Sequence, residues 1–116
     1  MNDNEAIILI AKNDRDMFLA SRVNGGEFVL VVLNEPKELD LGDRLFGRFD
    51  FADGNLFRVV RNETKNDSIR IVVQEPAMPH DRAMELLEKL GSPTTITLLR
   101  PSPGGMTLHT YSVAGY

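Results

Sequence analysis

A chain of 116 residues with 42% apolar and 26% charged side chains is long enough to enclose one hydrophobic core, and its ordinary composition excludes wholesale disorder and repetitive classes. Having no cysteine, it offers no disulfide, thiolate ligand or thiol nucleophile, which suits a reducing compartment. A formal charge of −4 argues against a general positive field for nucleic acid and leaves only a local basic face for that role.

Ile7 to Ala11 is a short apolar run preceded by Asp3 and Glu5, where a signal peptide carries basic residues, so the start reads as native and cytoplasmic. The turn formers Asn13-Asp14-Arg15-Asp16 lead into Met17 to Ala20, a first hairpin. Asn24-Gly25-Gly26 then turns the chain into Phe28 to Leu33, which is apolar on both faces and is expected to be a central strand covered on both sides. Pro36 ends that pattern and opens an acidic loop to Gly42, with Glu35, Glu38 and Asp40 read as solvated. Asp43 to Phe51 and Asn55 to Asn62 flank Asp53-Gly54, the strongest hairpin signal present, because both central positions of a type I′ turn need positive φ.

A polar turn over Asn62 to Asp67 precedes the β-branched strand Ser68 to Gln74, with a pause at Glu75-Pro76. Pro79 to Leu90 is the one helix: proline at its first position, Asp81 in its first turn, Glu85 and Lys89 paired, and Gly91 to close it. Ala83, Leu87 and Leu90, with Met84 and Leu86, form its apolar face. Thr94 to Leu99 and Met106 to Val113 are the last strands, joined through Pro101 to Gly105. No apolar run approaches the roughly 20 residues of a membrane-spanning helix.

The expectation is a single domain over 1–116, mostly β (β-rich α+β). It takes the form of a small antiparallel barrel or strongly curved sheet of about eight strands with one covering helix. The expected core is Ile8, Ile10, Phe18, Val29, Val31, Leu33, Phe49, Phe51, Leu56, Val60, Ile71, Val73, Leu87, Leu90, Ile96 and Leu98.

Taking Asp53-Gly54 as the two loop residues fixes the register of that hairpin, with Arg48 opposite Val59 and Phe46 opposite Arg61. One face then carries Leu45, Phe49, Phe51, Leu56 and Val60 with Arg58 among them, and reads as core. The other carries Arg44, Phe46, Arg48, Phe57, Val59 and Arg61. Rings and guanidinium groups together suit base stacking with phosphate contact, or a protein contact. The competing structural reading buries Phe46, Phe57 and Val59 beneath the helix or the terminal strands and pairs Arg44 with Glu63 across the ladder.

Arg44 and Arg48 repeat the spacing of the arginines in cyclic-dinucleotide-binding barrels, but the Asp/Asn-Ser-Gly element that completes that signature is absent after them, so no family follows. Asn13, Asp14 and Asp16 lack the glycine and distal glutamate of a calcium loop. His80 and His109 have no acid and base pattern around them, and Asn62 and Asn66, though in glycosylation-type triplets, read as turn residues.

The functional expectation is therefore a non-enzymatic protein-interaction module, a small regulatory, inhibitory or accessory protein with a protein partner, no cofactor, no metal and no membrane. The alternative is single-stranded nucleic-acid binding through Arg44, Phe46, Arg48, Phe57 and Arg61.

Overall fold

The computed structural model describes residues 4–50 and 57–115. The Asp53-Gly54 turn, with Phe51 and Leu56, lies outside the described residues. The elements are β1 (Glu5–Lys12), β2 (Met17–Arg22), β3 (Phe28–Leu33), β4 (Arg44–Gly47), β5 (Arg58–Asn62), β6 (Asp67–Met78), α1 (His80–Gly91), β7 (Thr94–Ser102) and β8 (Gly105–Val113). Every pairing is antiparallel, and six strands close in the order β1-β2-β3-β6-β5-β4 and back to β1. The small barrel, the eight strands and the single helix are as the sequence leads one to expect. The helix is too short to cross a membrane.

Closure rests on β1. One of its edges pairs with β2, and the other pairs first with β4, over Glu5 to Ile8, and then with β7 at Ala11 and Lys12. Between those two partners, Gly42 N–H donates to the Leu9 carbonyl at 2.7 Å and Leu9 N–H donates to the Asp43 carbonyl at 3.1 Å, so the strand's polar groups stay satisfied across the change. The register with β2 shifts between Leu9 and Ala11, a bulge that re-aims the side chains. Ile7 and Leu9 point into the barrel, whereas Ala11 joins a second core outside it. Ile8 and Ile10, expected in the core, are only half-buried, and Ile7 and Leu9 take the fully buried positions. An unbroken Ile-Ile-Leu-Ile run has no polar alternation to set its phase.

The second core lies between the outer wall of β2 and β3 on one side and α1 with β7 on the other. β3 is covered on both faces as its composition demands: Val29 and Val31 fill the barrel, while Leu30, with Phe28 and Val32 beside it, lies under the helix. The helix thus packs on the barrel wall and not over an opening. It starts at His80 with Pro79 as its N-cap, one residue later than the proline-first reading. Its buried face is Ala83, Leu87 and Gly91, and Leu90 is 50% exposed, not core.

Gly91 does not terminate the helix either; it is the last helical residue, and Ser92 caps it, its Oγ donating to the Glu88 carbonyl at 2.6 Å. Gly91 is needed for closeness, since a Cβ there would sit 2.5 Å from Asn13 Nδ2. That amide is buried and donates to the Leu87 carbonyl at 2.9 Å, while Asn13 Oδ1 accepts from Arg15 and Met17 N–H at 2.8 and 3.3 Å. One asparagine therefore folds the β1–β2 turn and pins the helix to it.

The expected pause at Glu75-Pro76 is instead part of β6, which runs twelve residues. Its register with β3 slips on either side of Leu30, and such irregularity accommodates a proline that has no N–H to give. The Pro76 carbonyl accepts from Arg22 Nη2 at 2.6 Å, and the same guanidinium also bonds Glu5 and the Glu27 carbonyl at 2.8 Å each.

The loop between β3 and β4 is more than a solvated run. Leu39 is buried in the barrel core, the Glu35 carboxylate accepts Arg70 N–H at 2.7 Å, and Lys65 reaches Asp40 at 2.8 Å. Buried Asp43 closes it, accepting from Asp40 N–H, Asn62 Nδ2 and Lys65 Nζ at 3.1, 2.9 and 3.2 Å. Burial raises the Asp43 carboxyl's pKa, and those donors outweigh it, leaving the group below its ordinary value.

The Asn13 and Gly91 contact predicts a coupled pair. Gly91→Ala and Asn13→Ala should each cost about 1–3 kcal/mol, the first by overpacking and the second by orphaning a helix carbonyl. The double variant should cost less than the sum of the two, because the alanine methyl then has room; chemical denaturation of the four proteins measures this. At Asp43 the lowered value means stabilisation present above the unfolded pKa of about 4 and lost as pH falls through the folded one. Asp43→Asn should lose about 1–3 kcal/mol at neutral pH, and its deficit against the wild type should narrow below about pH 4 in denaturation curves.

Candidate functional site

The register inferred from Asp53-Gly54 is the one observed over the described part of the hairpin: Phe46 lies opposite Arg61 and Leu45 opposite Asn62. On the next ladder Val59 lies opposite Arg70 and Arg61 opposite Ser68. Period-two alternation then sorts the wall. Leu45, Phe49, Val60, Ile69 and Ile71 point into the barrel and are buried, and the outer face carries Arg44, Phe46, Val59, Arg61 and Arg70. Phe57 and Arg48 extend it toward the undescribed turn. At Gly47, where β4 ends, a Cβ would meet Val60 Cγ1 at 2.7 Å, so only glycine lets the two strands approach there.

Phe46, Phe57 and Val59 are exposed by 36%, 39% and 63%. The reading that buries them beneath the helix or the terminal strands is thereby corrected: α1 packs against β2, β3 and β7, and the strand order puts β4 and β5 across the barrel from β2 and β3. The ion pair in that same reading is present, with Arg44 Nε 3.0 Å from Glu63 Oε1. Phe46, Phe57, Val59, Arg48, Arg58 and Arg61, with Asn4 and Val60, line a shallow groove of about 380 Å³.

The guanidinium groups are held within the chain. Arg48 and Arg58 each reach the Asp50 carboxylate at 2.6 Å, and Arg58 Nε also donates to the Asp50 carbonyl at 3.1 Å. The hydrogen bond from Arg48, reinforced by the Arg58 charge against slight desolvation, lowers the Asp50 carboxyl's pKa. Arg61 donates to the Asn66 side chain, and Arg70 stacks over the Phe57 ring at 4.4 Å. Among the described residues Arg44, Arg48, Arg58, Arg61 and Arg70 stand against Asp50, Glu63 and, at the border, Glu35, a basic balance on a chain whose formal charge is −4.

All five residues singled out from the sequence, Arg44, Phe46, Arg48, Phe57 and Arg61, thus fall on one exposed wall. Arg70 joins them from β6, beyond the reach of the Asp53-Gly54 register; the turn closed by Asn62 and Asp67 carries that information and places Arg70 opposite Val59.

The weaker candidates have structural tasks. Asp14 Oδ2 accepts Thr95 N–H at 2.8 Å and Asp14 N–H donates to Thr94 Oγ1 at 2.9 Å, tying the first turn to β7. His80 packs edge-on against Phe28 at 5.1 Å, and His109 lies 3.1 Å from Thr107 Oγ1 on β8. Asn62 is buried, its oxygen accepting from Thr64 and Lys65 N–H at 3.1 Å each. Among the described residues no three His, Asp or Glu side chains gather as a metal-ligand cluster. Comparison with protein-family models, with curated proteins and with solved structures finds no match to this chain.

Proposed function

We propose that this protein is an interaction module, a small regulatory, inhibitory or accessory domain, which docks a protein partner on the outer face of β4, β5 and β6. The observation that carries this reading is the exposure of Phe46, Phe57 and Val59 on the wall remote from the helix, set among arginines that already have partners in the chain. Aromatic rings and arginine are the residues that dominate protein contacts, and a rim of satisfied ion pairs costs little to desolvate partly. The excess of arginine over carboxylate fits a partner segment with an apolar side chain flanked by acids.

Single-stranded nucleic acid is the second reading, favoured by the positive balance of the face and the exposed Phe46 ring. It is less well supported, because Arg70 already covers one side of the Phe57 ring, and Glu63 and Asp50 compete with phosphate for Arg44 and Arg48.

Both readings are tested together. Displayed random peptides selected on the protein should converge on segments with an aromatic or aliphatic residue beside Asp or Glu. Phe46→Asp should weaken them at least about tenfold while leaving the thermal melt unchanged. Peptides that bind this variant as well as the wild type would remove the face from the account. Labelled oligo(dT) and oligo(U) titrated at low and moderate salt give the other arm. Steeply salt-dependent binding that Arg48→Ala weakens would put nucleic acid first.

A further inference from the structure

β8 is the outermost strand of the sheet, paired with β7 on its inner side only. That pairing is regular, nine consecutive partners from Thr94 opposite Val113 to Ser102 opposite Gly105 without a slip. The strand is therefore unbulged, about 30 Å long at 3.4 Å per residue, and alternate residues turn their N–H and C=O groups outward. Eight of its nine residues are exposed, Met106 and Leu108 by 56% and 62%.

Protected edges are short, bulged, or marked by lysine or proline. Gly-Met-Thr-Leu-His-Thr-Tyr-Ser-Val has none of these and no formal charge. β1 to β6 close into the barrel and β7 keeps a two-residue pairing with β1, so β8 stands out as the edge strand without any outer partner among the described residues.

We infer that β8 pairs antiparallel with β8 of a second copy of this chain, about a two-fold axis at Leu108. The strand's lack of charge admits a like copy: two identical strands meet with no repulsion, where a charged edge would oppose its own image. A two-fold axis makes the contact isologous, and it stops at two chains because each copy spends its open edge. The axis at Leu108 also gathers apolar side chains. Leu99 lies opposite Leu108 and Pro101 opposite Met106 on β7, so each hairpin carries these four on one face, and the axis sets the two clusters side by side. A strand contact alone falls below the area of standard stable interfaces, so the dimer is a weak one.

Sedimentation equilibrium from about 10 μM to about 1 mM should show a monomer–dimer equilibrium for the wild type. Leu108→Lys and Leu108→Glu, at a site exposed enough to leave the fold intact, should each weaken it at least about tenfold. Mixing the two variants at low salt should restore a heterodimer, since the opposite charges then face each other across the axis. In the wild type, amide exchange over 105–113 should slow as concentration rises, which reads the same contact without a substitution. A protein monomeric throughout overturns the inference. So does a dimer indifferent to both substitutions, a mixture that stays monomeric, or a monomer whose β8 takes up a foreign strand. The Arg and Phe face plays no part in these measurements, so either proposal can fail without the other.

Discussion

The bulge between Leu9 and Ala11 is the constraint on which the rest of the molecule depends. Strict alternation would send Ala11 to the same side as Ile7 and Leu9. By slipping once, β1 gives Ile7 and Leu9 to the barrel and Ala11 to the layer beneath the helix, and it trades β4 for β7 along one edge. Barrel closure through β4 and the attachment of the β7–β8 hairpin thus meet on one edge of a single strand. Gly42 and Asp43 hold the strand at the point of exchange through their hydrogen bonds with Leu9, and Asn13 fixes its far end against the helix.

Once the helix is committed to β2 and β3, the opposite wall is left to solvent. The two walls differ accordingly in what their outward positions carry. Outward residues of β2 and β3 are Met17, Leu19, Leu30 and Val32, a surface made to be covered. Outward residues of β4, β5 and β6 include Arg44, Arg61 and Arg70, with Phe46 and Val59 between them. Arg44 is held by Glu63, Arg61 by the Asn66 side chain and Arg70 by the Phe57 ring, so their stems and the rings form one ordered surface.

Much of this was legible in the residues, and the exceptions have physical causes. The register of β4 against β5 follows from Asp53-Gly54, and with it the partition of Leu45 and Val60 from Phe46 and Val59, because a two-residue loop leaves no freedom in the pairing. The phase of β1 was illegible because Ile7 to Ile10 are all apolar, and the bulge that uses both phases has no local signature. Helical spacing alone puts Leu90 on the core face, but the helix end approaches Asn13 so closely that only Gly91 fits there, which leaves Leu90 turned outward. Whether Phe46 and Phe57 are exposed turns on which wall receives the helix, a tertiary choice that the hairpin's own sequence does not encode.

The chain order of the two units has a further consequence. All six barrel strands lie within residues 5–78, and the helix and hairpin that cover the β2–β3 wall follow from 80 to 113. A chain made from its N-terminus has every barrel strand before it has the cover, and at about 5–20 residues per second that cover takes some seconds to arrive. During that interval Leu19, Leu30 and Val32 face water, or whatever attends the nascent chain, and the barrel must stand on its own interior, Ile7, Leu9, Leu45 and Ile71 among it, without the second core.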